Sequence, residues 1–211
     1  MIKETISKWE DVLDQCINLT YKYLEDYPQA WTKKTKKKPA PITIEEITLD
    51  ITKMFDKEPE IKAPTTIPDE LVAELLELLC KYDKSQRELI QKQYNSQKQV
   101  EQVVVGTFLE FYILKHSVKY GWVQTGNCLS GIDMIQQNED GSWNRLQIKN
   151  SDNTPNSSSA GFIRGKGNII TWKRRKSTTG TYYWDEFPDE NVRNHLSEDN
   201  FREFIKGYYK K

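Results

Sequence analysis

Apolar residues recur at helical spacing from Ile2 to Tyr27, with Ile6, Trp9, Leu13, Cys16, Ile17 and Tyr23 in register, so an amphipathic helix is predicted there and Pro28 closes it. The basic segment KKTKKKPAP at 33–41 interrupts the pattern, and a second helix is predicted over 43–56. A Pro-punctuated linker then reaches Pro68, after which Pro-Asp-Glu opens a helical stretch over 69–82. Residues 84–119 are helical by composition, as one helix or two, and Gly121 marks their end. Beyond it the texture changes to the short β-like runs WVQT, GIDMIQQ, WNRLQIK and NIITWKRR, separated by Gly, Asn and Ser. A last helix is predicted over 197–208, and no repeat or heptad pattern is present. The expected organisation is a helical N-terminal region over 1–97, packed on a core over 98–211.

The segment GIDMIQQNEDGSWNRLQIKN carries the most information. Glu139-Asp140-Gly141 suits a three-residue hairpin loop in which Gly141 supplies the left-handed position. If Asn138 faces Ser142, Met134 falls opposite Leu146 and Ile132 opposite Ile148, which lines one face with apolar residues on both strands. The other face then places Asp133 opposite Gln147, with Lys149 opposite Gly131 and diagonal to Asp133. Such a face can be no more than the solvated side of a hairpin. The preceding helix, QVVVGTFLEFYILK, changes the balance, because Glu110 stands alone among apolar residues on every side and a helix of that kind is buried. A carboxylate there requires a cation, a metal or a dense hydrogen-bond site, and a structural ion pair or a snorkelling surface position would also satisfy it. Aimed at Asp133 and Lys149, it would complete a hard-cation site of the kind Mg²⁺ occupies through one or two carboxylates and several waters.

Composition narrows the setting without deciding the chemistry. The chain of 211 residues is 36% hydrophobic and 11% aromatic, enough for one sizeable core. Its 31 basic and 31 acidic side chains cancel, so a polyanionic partner must be sought in local patches rather than in net charge. Cys16, Cys80 and Cys128 are scattered with no metal-ligand spacing, which argues against a disulfide framework and a zinc site and suggests a reducing cytoplasm. The start MIKETISKWEDV has no apolar export region, and the longest apolar stretch, Val103 to Leu114 with Glu110 inside, is too short to span a bilayer. His116 and His195 carry no motif, and no phosphate-loop sequence is present.

Ile132-Asp133, the short hairpin and Gln147-Ile148-Lys149, preceded by a helix with Gly106-x-x-Leu109-Glu110, resemble the PD-(D/E)xK nuclease core. The continuation KNSDNTPNSSS, then Ile170-Thr171-Trp172 and Trp184-x-x-Phe187, resembles more narrowly the SinI-like type II restriction endonucleases. The wider resemblance spans about residues 100–190, and the helical N-terminal part matches nothing comparable. It implies an α/β (α+β) fold, a restriction-endonuclease-like core whose mixed central sheet is flanked by helices. It implies sequence-specific hydrolysis of unmethylated double-stranded DNA with Mg²⁺ by a homodimer on a short palindromic site. Asp133, Gln147, Lys149 and Glu110 would be the catalytic residues, with metal ligands drawn from Asp133, the Ile148 carbonyl, Glu110 and Gln147. Ile132 stands in place of the motif's Pro and Gln147 in place of its second acid, which gives Glu110 more of the metal's charge to balance.

The loop after Lys149 then becomes a candidate reading surface. Asn150, Ser151, Asp152, Asn153, Asn156, Ser157, Ser158 and Ser159 offer short donors and acceptors, and Arg164, Lys166, Lys173, Arg174 and Arg175 offer base or phosphate contacts, with Arg174 a candidate reader of guanine. Clusters of Asn, Ser and Pro are also ordinary solvated turns. The basic loop Lys33 to Lys38 would add at most nonspecific phosphate attraction. Two other readings stay open: an Mrr-like or repair nuclease built on the same core, and a catalytically inactive DNA-binding module, which the neutral Gln147 would suit.

Overall fold

The structure is a computed structural model that describes residues 6–32, 42–57, 82–100, 104–152 and 169–210. The basic loop at 33–38 and the helix predicted over 69–82, apart from its last residue, lie outside the described residues. Two compact units are present, one made of Met1–Glu58 and Phe108–Lys211, the other of Pro59–Thr107.

The larger unit is built on a four-stranded sheet in the order β1 (Val123–Gln124), β2 (Met134–Gln137), β3 (Trp143–Ser151) and β4 (Ile170–Arg175). The first three strands run antiparallel, while β4 lies parallel to β3. The hairpin register is the one its apolar alternation predicts, with Met134 opposite Leu146 and Gln137 opposite Trp143. Its turn is closed by Asn138 N–H on the Ser142 carbonyl at 2.8 Å, and by Gly141 at φ 83°, a conformation that L side chains rarely adopt. Asp140 Oδ1 accepts the Ser142 N–H at 2.9 Å and tightens the same turn. As the central strand, β3 is buried on both faces from Arg145 to Ser151, except at Lys149, which is half-buried.

Helices cover this sheet. Helix α1 (Trp9–Asp26) starts after Lys8, whose left-handed φ of 53° stops the predicted helix from extending further back. Its last turns are tied to the hairpin: Asp26 Oδ2 accepts the Trp143 indole N–H at 2.8 Å, and the Tyr23 hydroxyl accepts Arg145 Nε–H at 2.7 Å. Helix α2 (Ile44–Asp56) opens on a Thr43 cap, whose Oγ1 accepts the Glu46 N–H at 3.2 Å. It packs along α1 through Ile47, Ile51 and Phe55.

In the smaller unit, helix α3 (Lys84–Gln99) carries a reciprocal cap: Asp83 Oδ1 accepts the Gln86 N–H, and Gln86 Oε1 accepts the Asp83 N–H. Helix α4 (Val105–Ser117) is apolar nearly all round, and its residues Phe108, Leu109 and Phe111 to Leu114 are buried in the larger unit. Gly121, at φ 87°, turns the chain out of the short 3-10 turn that follows α4. Near the end come α5 (Glu190–Arg193) and α6 (Glu198–Tyr209), and Phe201 of α6 meets Tyr112 and Trp184 in an aromatic cluster. Among the described residues no helix is long and apolar enough to cross a membrane.

Candidate active site

The β2–β3 ladder ends at Met134 and Leu146, so neither the pairing of Asp133 with Gln147 nor that of Ile132 with Ile148, two positions further on, forms as simple alternation predicts. The reason is local. Asp133 N–H turns to the Leu146 carbonyl at 2.9 Å, while the Asp133 carbonyl accepts the Thr125 N–H at 3.1 Å. With the ladder open, the Asp133 side chain reaches across, and its Oδ2 accepts the Ile148 N–H at 2.6 Å. The carboxylate is thereby pinned beside the strand that carries Lys149.

Glu110 comes from the middle of α4, half-buried between Leu109 and Phe111. Its carboxyl is pushed up from the usual 4.5 to about 8, first by burial and then by the Asp133 carboxylate, with Lys149 and Lys57 acting in the opposite direction. Asp133 is also raised, chiefly by burial, against the Ile148 N–H and the Lys149 ammonium. Glu110, Asp133 and Lys149 therefore act on one another electrostatically. Lys57, at the end of α2, adds the smallest of these influences on Glu110, one that sequence reasoning missed because nothing in the chain announces that α2 ends beside α4. Gln147 is buried on the same side of β3 as Lys149, two residues earlier, and its Oε1 receives a long contact of 3.5 Å from the Thr171 hydroxyl.

Two crowded carboxylates, both raised by burial and one further by its neighbour, are what a divalent cation would relieve. Among the described residues no three His, Cys, Asp or Glu side chains gather into a closed cage. The donor set suits a hard cation that keeps several waters, which Asp133, Glu110 and the Ile148 carbonyl could hold, better than it suits zinc.

The expected reading surface divides. Arg174 and Asn150 are buried at 8% and 9% exposure and point into the protein. Arg174 Nε–H donates to Asn150 Oδ1 at 2.9 Å, and its Nη1 donates to both oxygens of Glu198 at 3.0 and 2.9 Å. Glu198 also receives Arg202 and the Trp184 indole, so the guanidinium expected to read guanine joins β3, β4 and α6 instead. Ser151 is buried, and exposed Asp152 accepts the Ser177 N–H at 2.8 Å. Lys173 is exposed and in register with Lys149, on a surface cleft of about 460 Å³ that it shares with Thr171, Lys176 and Tyr183. Arg175 is half-buried opposite Ser151. Asn153, Asn156, Ser157, Ser158, Ser159, Arg164 and Lys166 lie outside the described residues.

A mixed sheet flanked by helices, with acidic groups and a lysine gathered where its hairpin opens, defines a protein of the restriction-endonuclease-like fold class. The chain belongs to the SinI restriction endonuclease family, whose model matches residues 2–211. The match therefore runs through the helical N-terminal part, which the motif resemblance did not reach. The chain is 33% identical over 193 residues to the type II restriction enzyme Eco47I of Escherichia coli, covering 89% of this chain and 83% of that protein. It is 37% identical over 151 residues to the type II restriction enzyme SinI of Salmonella infantis, covering 70% and 64%.

Two outcomes are expected from this geometry. Arg174→Ala strips a nearly buried partner from Glu198 and should lower unfolding free energy by about 3 kcal/mol in urea denaturation, whatever the DNA sequence offered. Because the folded-state value of Glu110 is raised, the stability linked to its protonation is present below about 4.5 and lost as pH rises through about 8. In metal-free protein Glu110→Gln should remove that part of the decline, and thermal melts of both proteins across this range will measure it.

Proposed function

We propose that this chain is a type II restriction endonuclease that hydrolyses phosphodiester bonds of unmethylated double-stranded DNA at a specific sequence, with Mg²⁺ as cofactor. The observation that carries the reading is the convergence of Asp133, Glu110 and Lys149 at the open end of the β2–β3 ladder. The family match supports it independently. Asp133, Glu110 and the Ile148 carbonyl would hold the metal, with the neutral Gln147 amide beside them. When bound, the ion would polarise the scissile phosphate and acidify a coordinated water. The Ile148 N–H holds the Asp133 carboxylate in one orientation, so that its binding geometry exists before substrate arrives. The Lys149 ammonium neutralises charge that accumulates on the phosphoryl oxygens as the water attacks and the ester oxygen departs.

Recognition falls to the segment that contains Asn153, Asn156, Ser157 to Ser159, Arg164 and Lys166, which follows β3 directly, while exposed Lys173 serves a neighbouring phosphate. A homodimer in the cytoplasm, each subunit reading half of a short palindrome, completes the proposal.

Lys149→Ala and Asp133→Ala should each abolish cleavage while keeping specific binding within roughly tenfold, about 1.4 kcal/mol, by gel shift on cognate and scrambled duplexes. Gln147→Glu adds a carboxylate to the cluster and should alter the preference between Mg²⁺ and Mn²⁺ with binding intact. Near-normal cutting by Lys149→Ala would remove the lysine from the reaction. A wild-type protein that shifts DNA without cutting it would instead make this a binding module, as the neutral Gln147 allows.

A further inference from the structure

In the parallel pair of β3 and β4, Lys173 stands in register with Lys149 and Thr171 with Gln147. Register partners project from the same face of a sheet, and the contact of the Thr171 hydroxyl with Gln147 Oε1 agrees with that placement. Neighbouring strands lie about 4.8 Å apart, so the stem of Lys173 leaves the sheet one strand's width from that of Lys149. Lys149 is half-buried, whereas Lys173 is exposed and lines the cleft of about 460 Å³ beside β4. The walls of this cleft are tied down. Tyr183 is fixed along β4 by its N–H on the Arg174 carbonyl at 2.8 Å and by its own carbonyl, which accepts the Trp172 indole N–H at 2.9 Å. Lys176, also exposed and on the cleft, opens a turn closed by its N–H on the Thr181 carbonyl at 2.8 Å. That turn is fastened to the end of β3, where Asp152 Oδ1 accepts the Ser177 N–H at 2.8 Å. Both cleft lysines are therefore carried on backbone fixed to the strand that bears Lys149. Of the acids on the cleft, Asp152 is engaged with Ser177, and exposed Glu186 is carried by the 3-10 turn Trp184–Glu186 that follows Tyr183.

We propose that this cleft is the seat of the phosphodiester group adjoining the scissile one on the strand being cut, held by the ammonium groups of Lys173 and Lys176. The inference deepens the reading of the chain as a DNA-cutting enzyme and rests on it. If Lys149 meets the reacting phosphate, a second ammonium one strand's width away meets the next charge along the same backbone, since successive phosphates of one strand rise only about 3.4 Å along the duplex axis. Lysine suits the task because it binds a phosphate as a point charge on a flexible stem, whereas the planar fork of arginine serves bidentate recognition. Such a contact sets the position of the scissile group against Lys149 and carries no sequence information.

The test compares the full chain with its Lys173→Gln/Lys176→Gln variant by fluorescence anisotropy on labelled duplexes in EDTA, at several salt concentrations. Loss of two phosphate contacts should flatten the slope of log affinity against log salt by roughly 1.8, on cognate and scrambled duplexes alike. A second probe locates the contact. With the cut position mapped, a cognate duplex is made in which the adjoining phosphate is a neutral methylphosphonate. Wild type should bind it about three- to fivefold more weakly than the normal duplex, and the variant should bind the two equally, because the charge and its partners act on each other. If wild type cuts at a defined sequence but the variant keeps the full salt slope, or loses as much as wild type on the neutralised duplex, the seat is wrong while the nuclease reading stands. If wild type cuts at no defined sequence, that reading fails and takes the inference with it.

Discussion

The hydrogen bond from the Ile148 N–H to Asp133 Oδ2, 2.6 Å long, is the contact on which the rest of the site depends. It exists because the β2–β3 ladder stops short of Ile132 and Ile148, which frees the Ile148 N–H from the partner that a regular ladder would give it and brings the Asp133 side chain across to take it. Everything upstream serves that opening. Gly141 sets the register of the hairpin, Thr125 holds the Asp133 carbonyl from β1, and Thr125 Oγ1 takes the Ile132 carbonyl at 2.7 Å. A one-residue slip would send Lys149 to the opposite face and separate it from Asp133.

Around this contact the fold concentrates like charge where water is scarce. Burial disfavours both carboxylates, and the buried aromatic and aliphatic residues Leu109 and Phe111 flank Glu110 in α4. The helical N-terminal residues contribute to that environment. Tyr23 and Asp26 lock α1 onto the hairpin through Arg145 and Trp143, and α2 rests on α1 beside α4. The family match extends through these helices to residue 2.

Local patterns made much of this legible in the sequence. Gly141 and the alternation on either side of it were sufficient to place Met134 against Leu146, and through that pairing to bring Asp133 toward Lys149. Glu110 stood out because a lone charge in an apolar helix needs a reason. What the sequence concealed depends on long-range partners. Arg174 looks like a free base-reading arginine until α6 brings Glu198 to it, and Asn150 looks like a loop residue until the same guanidinium takes its carbonyl oxygen. The end of α2 carries no sign in the sequence of lying beside α4, where the contact of Phe55 with Phe111 sets it. The early end of the ladder at Asp133 was equally hidden, since it arises from competition among three strands rather than from the alternation of two.

The most direct test of the central claim, that this carboxylate and lysine cluster cuts DNA at a defined sequence, is digestion of an unmethylated plasmid by the purified protein in Mg²⁺ and in EDTA. The account predicts a fixed set of discrete fragments with Mg²⁺ and intact plasmid with EDTA. Cutting that persists in EDTA, or a featureless smear in Mg²⁺, would contradict it.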